Sequence, residues 1–155
     1  MTSIIIWSGS LRSVPPESAS DRLIFGETGA QKLIGWVTDV GQPDGRARLY
    51  LDVTSEHTNR HGALHGGIIA MLLDSACGYT GSLHINPDTL PQMLSLSFTT
   101  QYLAPGGSGQ VMAQGRVTGG GRKTLFIGGE LLDNDGRLLA TSTGVYKPVR
   151  QTAGD

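Results

Sequence analysis

The feature that most constrains this chain is a long apolar segment near its middle. Residues 66–83 read GGIIAMLLDSACGYTGSL, a stretch of helical length without strand-like alternation, bounded by polar loops. Between Arg60 and Asp88 only one residue is formally charged, and that residue, Asp74, lies in the middle of the stretch. The pattern predicts one buried helix. A carboxylate inside it is costly unless it is paired, hydrogen-bonded or used in chemistry.

Segments with strand character surround this helix. Alternating apolar and polar residues predict a strand over residues 45–53, with residues 33–40 as its partner across the turn GQPDG. Four more strands are predicted at about residues 92–103, 109–117, 123–132 and 137–147, separated by the turns APGGSG and GGG and the hairpin sequence DNDG. This order predicts an α+β domain in which an antiparallel sheet wraps around one long central helix.

Length, charge and cysteine content limit the organisation and the partners. With 155 residues, 38% of them hydrophobic, we expect an N-terminal arm (residues 1–21), a single domain (residues 22–150) and a tail (residues 151–155). The net charge of -1 gives no general attraction to nucleic acid or to an anionic membrane. The single cysteine, Cys77, excludes an intrachain disulfide, so we expect a cytoplasmic protein and a core role for its thiol.

A metal site is not expected. His57, His61 and His65 are spaced four residues apart, as ligands on one helical face would be. However, Gly62 weakens any helix at this point, and no cysteine or acidic cluster completes a ligand set.

The start of the helix is a second chemical feature beside Asp74. Gly66 and Gly67 can present amide groups to a carbonyl oxygen or an anion, because the first amides of a helix lack intrahelical partners and the helix dipole is positive there. The same glycines also suit a sharp turn with no chemical role. Asp74 is likewise open to a structural interpretation, as a backbone cap or the partner of an arginine.

The spacing of these two features implies a second subunit. Asp74 follows Gly66 by eight residues, or about 12 Å along a helix, whereas a general base must approach its target within ~3 Å. We therefore expect a site that joins the helix start of one subunit to Asp74 of another across a two-fold axis. Small residues on the Asp74 face permit a close approach: Gly67, Ala70, Gly78 and Gly81.

The complete spaced pattern resembles one known family. Asn59, then His65-Gly66-Gly67 and Asp74, in the string NRHGALHGGIIAMLLD, is similar to the hotdog-fold acyl-CoA thioesterases of the phenylacetyl-CoA thioesterase (PaaI-like) group. The similarity extends over about residues 30–149. It implies a hotdog fold, a homodimer that pairs further into a tetramer, and hydrolysis of an acyl-CoA substrate to a free acid and coenzyme A without a cofactor.

The resemblance also implies a role for each residue of the pattern. The Gly66 N–H would polarise the thioester carbonyl, and Asp74 of the facing subunit would be the general base or the nucleophile. Asn59 would position the nucleophile or the carbonyl, and His65 would hold the loop and the thioester end. Ser95 matches the position of a water-orienting hydroxyl in the family.

Basic residues are candidates for binding the nucleotide part of coenzyme A. Arg122 and Lys123 follow the GGG turn near the edge where the family commonly binds the nucleotide, although an ordinary solvated hairpin fits them equally well. Arg60 and Gly67, within the motif, are further candidate substrate contacts. Ser97 and Thr99 share a strand face with Ser95 and are possible substitutes for it.

Two other functions stay open at this point. One is a hotdog-fold hydratase or dehydratase acting on acyl thioesters, although the position of the acid within the helix suits the thioesterase pattern better. The other is a non-catalytic acyl-CoA-binding module, which would need an output segment that the short N-terminal arm does not supply. The acyl group itself is not predicted by the sequence.

Overall fold

One long helix packed against one antiparallel sheet makes up most of the described part of the chain. The structure is a computed structural model, and it describes residues 13–150, so the predictions for residues 1–12 and 151–155 lie outside the described residues. In chain order the elements are β1 (Leu23–Phe25), α1 (Gly29–Ile34), β2 (Val37–Asp39), β3 (Arg48–Val53), a 3-10 helix (Ser55–His57), α2 (Gly66–Ile85), β4 (Met93–Tyr102), β5 (Gly109–Gly120), β6 (Leu125–Leu132) and β7 (Leu138–Pro148).

The order of the strands differs from a simple series of hairpins. The seven strands lie in the order β1-β2-β3-β5-β6-β7-β4, and every neighbouring pair is antiparallel. β4 pairs with β7 at the edge of the sheet, so the APGGSG segment is a crossover connection and not the turn of a β4–β5 hairpin. The predicted α+β hotdog fold is nevertheless confirmed, with α2 packed against β3 to β7.

The apolar face of α2 forms the centre of the core. Leu72, Leu73 and Ala76 are fully buried in one cluster with side chains of the sheet, among them Leu49, Val111 and Leu131. α2 is long and apolar enough to cross a membrane by length and composition alone, but half of that stretch is buried inside the fold. Its apolar length is therefore accounted for by packing against the sheet.

Two predicted elements are corrected by local signals at their ends. Residues 33–40 are not one strand, because Thr28 caps α1 by accepting a hydrogen bond from the Gln31 amide at 3.1 Å. Gly35 then ends α1 with a φ of 92°, in the left-handed region, and only Val37–Asp39 is strand. The GGG segment was predicted as a turn, yet β5 continues through Gly120 because a bulge keeps its ladder with β6.

Part of the predicted N-terminal arm is hydrogen-bonded to the sheet. The Val14 amide donates to Asp52 Oδ2 at 2.7 Å, and the Ser20 amide donates to Asp39 Oδ2 at 2.9 Å. Both acceptors lie on strands, so residues 13–21 of the predicted arm run along the domain.

Candidate active site

Asp74 lies on α2 where the helix faces β4 and β7. Its Oδ1 accepts two hydrogen bonds, one from Ser95 Oγ on β4 at 2.7 Å and one from the Tyr146 hydroxyl on β7 at 3.1 Å. Ser95 and Tyr146 are directly opposite each other in the β4–β7 ladder, which brings both hydroxyls to one carboxylate oxygen. No arginine or backbone amide of the described residues engages Asp74, so its structural partners are hydroxyls and not the arginine or backbone group considered from the sequence.

The second oxygen of Asp74 is left for other chemistry. Among the described residues no hydrogen bond reaches Oδ2, and Asp74 lines an open cleft of about 510 Å³ between α2 and the segment leading into β4. The cleft is lined by Glu27, Thr28, Asp74, Ser75, Gly78, Tyr79, Ser82, Leu90, Pro91, Gln92, Met93, Leu94, Ser95 and Val149. A small molecule bound there would lie beside the carboxylate.

One face of α2 keeps this cleft open. A Cβ added to Gly78 would meet no atom within 4 Å, so the missing side chain leaves space in the cleft. At the next residue of the helix, the Tyr79 hydroxyl donates a hydrogen bond to Glu27. Burial, reinforced by Glu27, raises the pKa of Tyr79, so the phenol stays protonated at neutral pH. At Gly81, on the same helix face, the missing side chain lets the chain's own sheet approach closely, since a Cβ there would lie 3.0 Å from Ile127 Cδ1.

The start of α2 presents a free amide. His65 is the N-cap residue, and its Nδ1 accepts a hydrogen bond from the Gly67 amide at 2.9 Å. The Gly67 amide is therefore engaged, whereas the Gly66 amide makes no hydrogen bond with the described part of the chain. The Gly66 carbonyl accepts from the Tyr102 hydroxyl at 2.9 Å, which ties the helix start to the far end of β4.

Asn59 shapes the loop that leads to this helix start. Its side-chain Oδ1 accepts hydrogen bonds from the backbone amides of His61 at 2.9 Å and Ala63 at 3.2 Å. Its backbone amide donates to the Ala63 carbonyl at 2.8 Å. An isolated bridge between Thr58 and Leu64 closes the same loop. Asn59 is thus placed with the helix start, where its carboxamide oxygen is already used by the loop.

The predicted site residues form two groups within one chain. Asp74 and Ser95 lie in the middle of α2 and near the start of β4, whereas Asn59, His65 and Gly66 lie at the start of α2. Eight residues of helix keep the groups about 12 Å apart. A single chain therefore does not bring the Gly66 amide and the Asp74 carboxylate to the same bond.

The predicted basic residues are not part of either group. Arg60, Arg122 and Lys123 are exposed, and no hydrogen bond or ion pair within residues 13–150 links them to the other candidates. They remain available as cationic surface groups.

The remaining titratable candidates are structural. Cys77 is fully buried, and burial raises its pKa to about 11, so it is a thiol at neutral pH and no nucleophile. His57 is also buried, accepting from the Thr54 amide at 3.0 Å through Nδ1 and donating to the Ile34 carbonyl at 2.9 Å through Nε2. Within the described residues no group of three histidine, cysteine or acidic side chains is arranged to hold a metal ion.

Two tyrosines of the site were missed from the sequence. Alternation along β7 places Ser142, Gly144 and Tyr146 on one face, which is visible in the sequence, but the register that brings Tyr146 opposite Ser95 is not. Tyr102 was missed for the same reason, since its contact with the Gly66 carbonyl joins residues far apart in the chain.

The chain is similar in sequence to known thioesterases and esterases. Residues 61–140 match the thioesterase superfamily. A protein of Saccharolobus solfataricus named as an esterase, SSO2140, is 32% identical over 108 residues, which cover 68% of this chain and 74% of that protein. Human acyl-coenzyme A thioesterase 13 is 28% identical over 114 residues, covering 57% of this chain and 81% of that protein.

Solved structures show the same fold. The PaaI protein of the E. coli phenylacetic acid degradation operon superposes with a TM-score of 0.67 at 22% identity, covering 81% of this chain and 88% of that one. The similarity seen in the spaced sequence motif is thereby confirmed at the level of family and fold.

Proposed function

This chain belongs to the thioesterase superfamily, and from that premise we propose that it hydrolyses an acyl-CoA thioester to a free acid and coenzyme A. The main support for the proposal is the environment of Asp74. Its half-buried carboxylate accepts hydrogen bonds from two hydroxyls through Oδ1, and the residue lines an open cleft. The name of human acyl-coenzyme A thioesterase 13, a relative over 114 residues, supports coenzyme A as the carrier of the acyl group.

The proposed chemistry needs a base and an oxyanion site. As general base, Asp74 takes a proton from water while the water oxygen attacks the thioester carbonyl carbon. Negative charge then develops on the carbonyl oxygen, where a free amide at a helix start stabilises it. The C–S bond breaks, and the coenzyme A sulfur leaves as the thiol after receiving the proton. As nucleophile, Asp74 would attack the carbonyl carbon itself, and the C–S bond would break to release coenzyme A as the thiolate. Water would then hydrolyse the resulting mixed anhydride, which restores the Asp74 carboxylate and releases the free acid.

Packing of a second copy of the chain against the first would bring the Gly66 amide and the Asp74 carboxylate close together. β4 lies at the edge of the sheet, and Leu94 and Leu96 on it are 53% and 56% exposed, which favours pairing with another strand. If two copies pair antiparallel along β4, the Tyr102 end of one strand lies beside the Ser95 end of the other. The first end is bonded to Gly66 and the second to Asp74, so the pairing brings the Gly66 amide of one subunit toward Asp74 of its partner.

The rest of the substrate is assigned by chemistry. The cleft beside Asp74, with the opening left at Gly78, would take the acyl group. The exposed side chains of Arg122, Lys123 and Arg60 would attract the phosphates of coenzyme A. A cytoplasmic location and a pairing of dimers into a tetramer remain predictions from the sequence.

The experiment that tests the proposal follows the release of free thiol. The wild type is incubated with a panel of aromatic and aliphatic acyl-CoA substrates, beside Asp74→Asn and the exposed control Asp88→Asn. We expect the wild type and Asp88→Asn to release thiol at equal rates, and Asp74→Asn to lose turnover by a factor of about 10³ or more while still binding substrate. Tight binding without turnover by the wild type would instead indicate an acyl-CoA-binding module.

A further inference from the structure

We infer that Tyr146 is a positioning residue for Asp74, holding the carboxylate so that Oδ2 is the oxygen that acts on the substrate. The inference rests on the proposed function. Its basis is that Tyr146 and Ser95 both donate to Oδ1, at 3.1 and 2.7 Å, whereas no described residue donates to Oδ2. Two donors converging on one oxygen fix the rotation of the carboxylate.

The ring of Tyr146 is held tightly enough to serve this purpose. Tyr146 is fully buried and packs in one cluster with Cys77, Leu125 and Ile127. Gly144 precedes it on the same face of β7, and a Cβ there would lie 2.6 Å from Tyr146 Cε2 and 2.9 Å from its hydroxyl oxygen. The ring thus occupies space that any other residue at position 144 would fill, and its hydroxyl is held at one position beside α2.

The hydroxyl remains a donor throughout the neutral pH range. Burial raises the pKa of Tyr146, and the neighbouring Cys77 and Asp74 raise it further. Cys77 is itself kept as a neutral thiol and contacts Ser142 Oγ at 3.9 Å. Behind Asp74 there is therefore a buried series of neutral polar groups.

This arrangement separates the roles of the two hydroxyls on Oδ1. Ser95 is exposed on β4, where a second subunit would pack, so its hydroxyl is open to substrate and water as well as to Asp74. Tyr146 has no such access, because it is completely covered. It can act on the reaction only through Asp74, which is what distinguishes a positioning residue from a catalytic one.

The test compares Tyr146→Phe with Tyr50→Phe, which removes the hydroxyl of another buried tyrosine on β3. We expect Tyr146→Phe to lower kcat by about ten-fold, the rate equivalent of one hydrogen bond to a charged group, with KM unchanged. Tyr50→Phe should retain the wild-type kcat and KM.

The outcomes separate this inference from the proposed function. If the wild type hydrolyses acyl-CoA and Tyr146→Phe matches it in kcat and KM, the positioning role is wrong and the proposed function stands. If the wild type releases no thiol, the proposed function is wrong and the role of Tyr146 falls with it. Should Tyr146→Phe not fold, Gly144→Ala keeps the hydroxyl but displaces the ring, and we expect the same loss of kcat at constant KM; wild-type kcat in that variant would overturn the inference.

Discussion

The close approach of α2 to β5 can be tested by adding one methyl group at Gly115. A Cβ at this position would lie 2.9 Å from the Ala76 carbonyl oxygen and 2.9 Å from Thr80 Cβ. Neither atom can rotate away, since one belongs to the helix backbone and the other is the first atom of its side chain. Gly115→Ala must therefore push α2 away from the sheet.

The expected cost follows from these contacts. Overpacking of this kind costs about 1–3 kcal/mol. Thr80 Oγ1, which would lie 2.5 Å from the new Cβ, also accepts a hydrogen bond from the buried Ala47 amide at 3.1 Å, and moving it leaves that amide unpaired. Replacing glycine by alanine stabilises the protein by only about 0.4–1 kcal/mol, because it lowers the conformational entropy of the unfolded chain. We therefore expect Gly115→Ala to lower the free energy of unfolding by about 1–3 kcal/mol.

Gly128→Ala on β6 is the matched control. Its Cβ would meet no atom nearer than 3.6 Å, so the only effect should be the lower conformational entropy of the unfolded chain. The variant should therefore be as stable as the wild type or slightly more stable. Urea denaturation and thermal melts measure both variants, at one protein concentration because the stability of an oligomer depends on it. A shift in Tm of about 2–4 °C is expected for each kcal/mol. If Gly115→Ala is as stable as Gly128→Ala, the close contact between α2 and β5 is wrong.

Two further predictions concern the cleft. Ser95→Ala should lower kcat by about ten-fold, because Asp74 loses the shorter of its two hydrogen bonds. Ser97→Ala, on the same strand and without a hydrogen bond to Asp74, should keep the wild-type kcat. Equal losses in both variants would show that the effect does not depend on the contact with Asp74. Gly78→Val should fill the cleft and raise KM for aromatic acyl-CoA by roughly ten-fold, while KM for the much smaller acetyl-CoA stays unchanged. If KM is unchanged for both substrates, the acyl group binds outside this cleft.

The sequence predicts the parts of the fold that depend on local patterns. The limits of α2 differ from the prediction only by two residues at its end, because length, apolar content and polar flanks are all local signals. The strands β5 to β7 follow from alternation and turn sequences for the same reason. The helix α1 was not predicted, since its cap at Thr28 and its end at Gly35 override the strand character of Leu33 and Ile34.

The contacts that build the site depend on pairings between distant segments. The place of β4 at the sheet edge, beside β7, follows from the crossover that leads into β5 and not from any local pattern. The same pairing brings Tyr146 opposite Ser95, with both hydroxyls on Asp74. A family resemblance selects Asp74 and Ser95 by their spacing, but it contains no information about the buried tyrosine behind them.

In the proposed mechanism the Gly66 amide and Asp74 act on one thioester carbonyl from two subunits. Combining two inactive variants in one dimer shows whether they do. Gly66→Pro removes the amide at a helix position that tolerates proline, and Gly66→Ala, which keeps the amide, is its control. Gly66→Pro and Asp74→Asn chains are co-expressed with different tags, and the mixed dimer is purified through both.

In that mixed dimer one of the two shared sites contains an intact Gly66 and an intact Asp74, and the other contains both substitutions. We predict that the mixed dimer releases thiol from acyl-CoA at about half the wild-type rate, although each parent variant is inactive. A mixed dimer as inactive as its parents would mean that the Gly66 amide and Asp74 do not meet across subunits.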